Sequence, residues 1–197
     1  MKFNDKFKLN KKDEEKGLKL PKYMSKELAE LIGIQFGDGC LQRNKNYTYR
    51  LYYTCNIIEK EYAQYISELF KKLFNVDLTV KTVKNKGCIA LYVYSKTLCA
   101  FFNKELKVPY SPKTELRIPQ YIQDNEEYLI EFLRGIFDTD GCITKQKDRG
   151  YIYTLIKIAT KHKVFAEQIK SSLISLDINA FICRKNDKCG YVGYDVV

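Results

Sequence analysis

The chain has 197 residues, of which 45% are hydrophobic, enough for one sizeable core or two small ones packed together. Lysine and arginine outnumber aspartate and glutamate by 34 to 24, and the net charge of +10 suits a polyanionic partner such as nucleic acid. The chain has no long apolar segment for a membrane and no apolar signal core at its N-terminus, so we expect a soluble, intracellular protein. The seven cysteines are odd in number without a C-x-x-C pair, which favours neither a disulfide framework nor a zinc site.

Residues 1–24 carry dense alternating charge, and Pro21 precedes the first clear helix signal. This pattern predicts a charged N-terminal arm, either a solvated leader or a segment that contacts DNA. Ser25 then offers a helix N-cap, and apolar residues follow it at helical spacing. The first helix is predicted to end at Asp38, which is followed by glycine.

The elements that follow this helix occur twice in the same order. The first half is predicted to continue with a hairpin over 40–55, a helix over 59–74, a hairpin over 78–83 and 88–94, and a helix over 95–106. Three of the four prolines lie between 108 and 120, which predicts an extended connector. The second half is predicted as a helix over 126–140, a hairpin over 142–147 and 151–158, a helix over 161–176, and a hairpin over 179–184 and 191–196. The domain boundaries expected from this repeat are an arm at 1–24, half-domains at 25–107 and 123–197, and a linker at 108–122.

The two predicted motif helices end in the related stretches 31–39 (LIGIQFGDG) and 133–141 (LRGIFDTDG). Their final acids are Asp38 and Asp140, each at the negative end of a helix dipole, an arrangement that costs about 0.3–1 kcal/mol. For one isolated copy, a simple Asp-Gly turn explains the acid equally well. The recurrence of the acid in register instead favours a chemical role.

Small residues precede each acid at a spacing of four: Gly33 and Gly37 in the first helix, Gly135 and Thr139 in the second. Such a stripe lets two helix backbones approach closely, which would bring the two acids together at a pseudo-two-fold axis. Two adjacent carboxylates repel unless a cation joins them, and Mg²⁺ prefers such oxygen ligands. The arrangement predicts metal-dependent phosphodiester hydrolysis.

Histidine-based nuclease chemistry is excluded, because His162 is the single histidine. His162 itself is interpreted as an exposed or capping residue and is given no catalytic role.

The chain resembles the LAGLIDADG homing endonucleases in their single-chain form with two motifs, over about residues 25–197. The segment 132–141 (FLRGIFDTDG) is the more specific match, whereas the first copy departs from the family pattern at Gln35 and Phe36. The resemblance implies an α+β fold of duplicated αββαββ(α) half-domains, whose two antiparallel sheets form a saddle beside packed motif helices. The second half lacks a clear final helix, so we expect its sheet to be more exposed, and whether the C-terminus is native or trimmed stays open.

The resemblance also implies a function: a monomeric, intron-encoded, site-specific endonuclease that makes a staggered double-strand break with 3′ overhangs in a long, pseudo-palindromic or asymmetric target. The implied cofactor is Mg²⁺, with Mn²⁺ as a substitute and Ca²⁺ as an ion that binds without turnover. Two alternatives of the same fold stay open, an RNA-splicing maturase that binds intron RNA and a catalytically silent DNA-binding protein. A third is an α+β interaction protein with a basic surface.

By the same resemblance, the metal ligands are Asp38, Asp140 and the carbonyls of Gly37 and Thr139. A lysine near the scissile phosphates is implied as well. Lys113, within SPKTELRIP, matches the connector pattern, while Lys157 and Lys161 are positional alternatives.

Base contacts are expected from the polar face of the strands, although a solvated sheet face explains any one residue equally well. By alternation that face carries Gln42, Asn44, Thr48, Arg50, Tyr52, Thr54, Thr144, Gln146, Tyr151, Tyr153 and Lys157. The phosphate contacts are expected from Lys81, Lys84, Lys86, Lys145, Lys147, Arg149, Arg184, Lys185 and Lys188.

Overall fold

The structure is a computed structural model that describes residues 1–3, 7–44, 46–186 and 192–197. Its helices are α1 (Lys11–Glu15), α2 (Lys26–Phe36), α3 (Lys60–Phe74), α4 (Lys96–Lys104), α5 (Gln120–Gln123), α6 (Glu126–Asp140) and α7 (Lys163–Ser175), with one 3₁₀ turn at Lys84–Lys86. Its strands are β1 (Gly39–Arg43), β2 (Tyr49–Asn56), β3 (Thr79–Val83), β4 (Cys88–Tyr94), β5 (Gly141–Asp148), β6 (Tyr151–Thr160), β7 (Ile182–Asn186) and β8 (Val192–Val196). None of the described helices is long and apolar enough to cross a membrane.

The strands form two antiparallel sheets with the same topology. The first sheet has the order β1-β2-β4-β3 and the second the order β5-β6-β8-β7. In the chain, each motif helix is followed by the two hairpins of its sheet. A helix, α3 in the first half and α7 in the second, connects the two hairpins. The predicted α+β fold of duplicated half-domains is therefore confirmed.

Each sheet has one face toward the helices and one face away from them. In the first sheet, Leu41 lies opposite Leu51, and both are fully buried on the side of the helices, which we call the helix-side face. The neighbouring pair, Gln42 opposite Arg50, is on the other side, which we call the open face. The strict alternation of apolar and polar residues in β2 produces this division.

The two motif helices, α2 and α6, form the contact between the halves. Ser25 and Asn125 cap their N-termini by accepting hydrogen bonds from the amides of Leu28 and Tyr128. At the crossing, a methyl group on Gly33 would collide with the Phe132 carbonyl oxygen. Glycine is thus required here by a close backbone approach, as the small-residue stripe predicts.

A buried polar cluster joins the same helices near their middle. Glu30 on α2 is 2% exposed, and one of its carboxylate oxygens lies 2.5 Å from the Arg134 guanidinium of α6. The hydroxyl of Tyr65 on α3 donates to the other oxygen at 2.5 Å. The cluster links one element of the second half to two elements of the first.

The described residues of the N-terminal segment, 1–3 and 7–24, pack against the first half and so differ from a solvated leader, while contact with DNA stays a prediction. Phe3, Leu18 and Met24 are buried, and the Phe3 ring packs edge-on against Phe101 at 5.3 Å between centroids. The amide of Lys19 also donates to the Phe74 carbonyl. These apolar residues are too widely spaced among charges to produce a periodic signal, so the sequence pattern did not reveal their packing.

The two halves have unequal cores. The first half contributes more of the large, fully buried aromatic side chains: Tyr53, Phe70, Phe74, Phe101 and Phe102, against Phe132 and Phe165 in the second. In the second half, β6 pairs with β8 only from Ile158 to Thr160, and the β5-β6 hairpin extends beyond that pairing. Ile143, Ile152 and Ile156 on the helix-side face of this hairpin are 57–69% exposed.

Substituting Gly135 by alanine should separate the two motif helices. Its methyl group would collide with the Glu30 carbonyl oxygen and lie 2.8 Å from the Ile34 amide nitrogen. We expect Gly135→Ala to lower the free energy of unfolding by about 1–3 kcal/mol, measured by urea denaturation. Gly193→Ala is the matched control, because its nearest neighbour, the Thr160 carbonyl oxygen, would be 4.0 Å away. Equal stability of both variants would contradict the close contact.

Removing the arginine should leave the buried carboxylate of Glu30 without its cation. We expect Arg134→Met to lower the free energy of unfolding by about 1–3 kcal/mol. The Glu30 carboxylate is buried although Arg134 is half exposed, so the variant strands a charge that keeps the Tyr65 hydroxyl as a partner. Lys26→Met breaks an ion pair with Glu127 in which both side chains are more than half exposed, and should change stability by less than about 1 kcal/mol. Similar losses in the two variants would argue against a special role for the cluster.

Candidate metal and nucleic-acid site

The motif helices bring their last residues together at one end of the interface. A Cβ atom on Gly37 would lie 2.7 Å from the Cβ of Thr139 and 3.2 Å from a carboxylate oxygen of Asp140. Asp38 follows Gly37 directly, so the two acids predicted from the repeat lie near each other. Gly37 and Thr139, whose carbonyls are the other predicted ligands, are the residues in contact at this point.

The two acids are carried by helix ends of different construction. In the first half, α2 ends at Phe36 and Gly37 caps it, which places Asp38 on a turn before β1. In the second half, α6 continues through Asp140 and β5 begins at the next residue. Although the two motifs are copies, Asp38 lies in a turn and Asp140 lies in a helix.

Both carboxyl groups are held in an environment that disfavours charge. Burial raises the pKa of Asp38 to about 6, with further contributions from the negative charges of Asp140 and Glu59. Burial also raises the pKa of Asp140, and the nearby Lys113 ammonium opposes this effect. Two such groups side by side are an arrangement that a bound cation would stabilise.

Lys113 reaches the site from the connector between the halves. Its ammonium donates hydrogen bonds to the carbonyl oxygens of Gln35, Phe36 and Gly37 at 3.0, 2.7 and 2.8 Å. Burial lowers the pKa of Lys113 to about 8, although the charges of Asp140 and Asp38 act in the opposite direction. The ammonium thus lies beside both acids and against the C-terminal end of α2.

A groove of about 590 Å³ opens beside Asp140 and Lys113. Residues at the end of β6 and just after it, Thr160, Lys161 and His162, form another wall of the groove. Lys161, one of the positional alternatives for the lysine near the phosphates, is exposed in this groove. A lysine that contacts DNA must be exposed.

Two residues near the site were given no catalytic role by the sequence: His162, interpreted as an exposed or capping residue, and Glu59, which was not considered. His162 is the N-cap residue of α7. Burial together with Lys161 and Lys113 lowers its pKa, and a hydrogen bond from its ring to the Thr114 backbone carbonyl opposes this effect. Glu59 is the N-cap residue of α3, and its charge contributes to the raised pKa of Asp38. The sequence repeat could have identified both residues, because Glu59 and His162 precede equivalent helices, α3 and α7, in the two halves.

In the first sheet, the residues predicted to contact bases in the strands share the open face. Arg50 donates to the Gln42 side-chain oxygen at 2.6 and 3.1 Å and lies over the Tyr52 ring at 4.7 Å. Thr54 and Lys81 belong to the same face by strand register. Asn44 and Thr48 lie in the turn between β1 and β2, joined by a backbone hydrogen bond.

In the second sheet, the predicted residues divide between the two faces. The pairs of β5 and β6 on the open face include Thr144, Gln146, Tyr151, Tyr153 and Lys157. Lys145 and Lys147 point to the opposite side, with Ile143 and Ile156, so they are not on the open face with the base-contacting candidates. This agrees with the alternation in the sequence, which left Lys145 and Lys147 out of the base-contacting face, and their contact with phosphate stays a prediction.

Strand β7 places two further candidates on opposite faces. Lys185 is on the open face, where its ammonium pairs with the buried carboxylate of Asp195. Arg184, in the middle of the strand, is on the helix-side face in register with Tyr194, and it is exposed. Lys188 lies outside the described residues.

Comparison with protein families finds a LAGLIDADG signature in each half. A model described as a LAGLIDADG-like domain matches residues 127–196, and one described as a WhiA LAGLIDADG-like domain matches residues 28–98. These matches and the paired motif helices define the class of protein: the chain has a LAGLIDADG fold with two motifs.

Solved structures agree on the fold. The homing endonuclease I-DmoI in complex with DNA and Ca superposes with a TM-score of 0.60 at 21% identity, covering 87% of this chain and 83% of that one. The N-terminal LAGLIDADG domain of DUF199/WhiA has a TM-score of 0.56 at 17% identity and covers 90% of this chain and 78% of its own.

Curated relatives are longer than this chain. An uncharacterized protein of Methanocaldococcus jannaschii is 28% identical over 181 residues, 85% of this chain and 62% of its own length. The glutamine–fructose-6-phosphate aminotransferase of the same organism is 27% identical, and one of the subunits of the A-type ATP synthase of Pyrococcus abyssi is 28% identical. They match 83% and 89% of this chain, but the chain spans only 14% and 16% of their lengths.

The side chain of Gln35, near the end of α2, lowers the stability of the protein. It is fully buried, and neither its amide nitrogen nor its oxygen has a hydrogen-bond partner among the described residues. We expect Gln35→Leu to raise the free energy of unfolding by about 1–3 kcal/mol, measured by denaturant titration, because an unpaired buried amide is removed. The exposed Gln64→Leu is the control and should be close to neutral. A destabilised Gln35→Leu variant would mean that the amide has a partner in solution.

Proposed function

We propose that the protein is a site-specific homing endonuclease that makes a metal-dependent, staggered double-strand break in DNA. The observation that carries this proposal is the placement of Asp38 and Asp140 at adjacent ends of two helices that touch through glycine. Each acid lies at the start of a sheet with a polar open face, within a protein of net charge +10. A pseudo-symmetric pair of acids can address the two strands of one duplex.

The residues present fit a hard divalent cation. Asp38, Asp140 and the carbonyls of Gly37 and Thr139 are oxygen donors, the ligand type that Mg²⁺ prefers. When bound, Mg²⁺ or Mn²⁺ would activate water and stabilise the leaving 3′-oxygen. I-DmoI has been crystallised in complex with DNA and Mn and in complex with DNA and Ca, which supports a divalent ion at this site. Ca²⁺ is expected to bind here without turnover.

The other side chains would bind and orient the duplex. Lys161 at the groove wall is available to a backbone phosphate, and the open faces of the sheets present Arg50, Gln42 and Gln146 toward base edges. An arginine or glutamine can bond two atoms of one purine, so these three give the most specific readout. We therefore propose a long, asymmetric or imperfectly palindromic duplex as the target and a monomer as the active species.

The curated relatives support a homing function. The aminotransferase and the ATP synthase protein have unrelated activities, yet each contains a segment similar to most of this chain. A module that recurs inside unrelated proteins is expected of a sequence that spreads by cutting DNA at its insertion site. Whether this chain is intron-encoded belongs to the same proposal.

A second candidate function is DNA binding without cleavage. The match of residues 28–98 to a WhiA LAGLIDADG-like domain favours it, because that match covers the half in which Gln35 and Phe36 depart from the motif. Both acids are nevertheless present, and they are the groups that cleavage requires.

Neutralising either acid should abolish cleavage while DNA binding persists. A library of duplexes with a long randomised cassette is incubated with the protein and Mg²⁺, and cut ends are captured and sequenced to identify the target. On that target, we expect Asp38→Asn and Asp140→Asn to lose double-strand cleavage by a factor of at least about 100, since each removes a charged metal ligand. Their affinity for the target in Ca²⁺ should stay near that of the unaltered protein.

Asp77→Asn is the matched control, because Asp77 is an exposed partner of Lys71 on the protein surface. It should leave cleavage unchanged. Retained cleavage in either motif variant would refute the assignment of the acids. Tight, target-specific binding with no cut ends under any divalent ion would favour the binding-protein alternative.

A further inference from the structure

The ammonium group of Lys113 has a full set of acceptors within the protein. It donates to three successive carbonyl oxygens, those of Gln35, Phe36 and Gly37, at 2.7–3.0 Å. A lysine ammonium has three N–H donors, so all of them are engaged. The last carbonyls of a helix lack intrahelical donors, and a lysine at this end both satisfies them and complements the helix dipole.

We propose that Lys113 is a positioning residue that caps α2 and fixes the Gly37 carbonyl and the turn bearing Asp38, while Lys161 is the lysine that faces a DNA phosphate. This proposal rests on the proposed function of the same site. To reach a phosphate, Lys113 would have to release a backbone carbonyl beside the acid. Lys161 is exposed on the wall of the same groove and has no such constraint in the part of the chain that the structure describes.

The two motifs differ in where the helix stops. In both, the cap amide bonds back one turn, from Gly37 to the Gly33 carbonyl and from Gly141 to the Phe137 carbonyl, so this bond does not distinguish them. The Thr139 hydroxyl donates to the carbonyls of Gly135 and Ile136 at 3.0 Å. Because α6 remains helical through Asp140, this acid is held by regular structure, whereas Asp38 depends on a turn. Lys113 therefore fixes the turn that carries Asp38, whereas the helix itself fixes Asp140.

The first measurement is Mn²⁺ binding to the full chain without DNA, followed by electron paramagnetic resonance. We expect Lys113→Met to weaken Mn²⁺ binding by about 10–100-fold, the usual effect of removing a group that orients metal ligands. Lys113→Arg should not rescue it, because a planar guanidinium cannot direct three donors from one nitrogen. Lys107→Met is the control, since Lys107 bonds the Lys104 carbonyl at the end of α4, and it should bind Mn²⁺ normally.

The second measurement is the salt dependence of binding to a duplex of arbitrary sequence, which needs no knowledge of the target. Each phosphate contact contributes about 0.9 to the slope of log affinity against log salt concentration. We expect Lys161→Met to reduce this slope by about one and Lys113→Met to leave it unchanged. Thermal melts of each variant identify a temperature at which all are folded, and both measurements are made there.

The outcomes separate this proposal from the proposed function. A slope reduced by about one in Lys113→Met, with normal Mn²⁺ binding, would overturn the positioning role. An unchanged slope in Lys161→Met would overturn the second part. Asp38→Asn is measured in parallel: if it binds Mn²⁺ as well as the unaltered protein, the metal site itself is refuted. The salt slopes would then still decide which lysine contacts phosphate.

Discussion

The contact between α2 and α6 through Gly33 and Gly135 is the constraint on which the rest of the structure depends. Because neither glycine has a side chain, the helix backbones touch, and the residues at their C-terminal ends are forced into one small space. The proximity of Asp38 and Asp140, the raised pKa values of both, and the placement of a sheet on each side follow from this single contact. A wider separation would leave two unrelated surface acids.

The same contact limits how symmetric the site can be. Gly37 meets Thr139 at the crossing, so the two motifs present different atoms to each other. Around the acids, Glu59 in one half corresponds to His162 in the other as the residue before an equivalent helix. The three carbonyls to which Lys113 donates all belong to the first motif. A duplicated framework thus surrounds an electrostatically unequal centre. Such inequality is expected of a protein whose two halves meet different DNA half-sites.

The framework could be predicted from the sequence because its signals are local. One element can be predicted from each of three local patterns: the acid-glycine stretches, the proline-containing connector and the alternation in β2. The repeat then predicts that the two halves have the same fold. The resemblance placed Lys113 at the site, but its hydrogen bonds to the last carbonyls of α2 could not be predicted, since they depend on the path of a connector without regular structure. The β5-β6 hairpin shows another limit: alternation separated Lys145 and Lys147 from the base-contact candidates, but it could not show that both sides of the hairpin are exposed. The packing of Phe3 shows a third limit, because one isolated aromatic residue forms no periodic pattern from which its burial could be predicted.

The unequal cores described above have a consequence for the order in which the protein acquires structure. Tyr53, Phe70, Phe74, Phe101 and Phe102 all precede the connector, so the half with the larger aromatic core leaves the ribosome first. Domains synthesised first generally fold first. Helix α2 would then already be held by α3 and its sheet when α6 emerges. The nascent second half would meet a finished surface, with the Gly33 groove as the template on which its own motif helix docks.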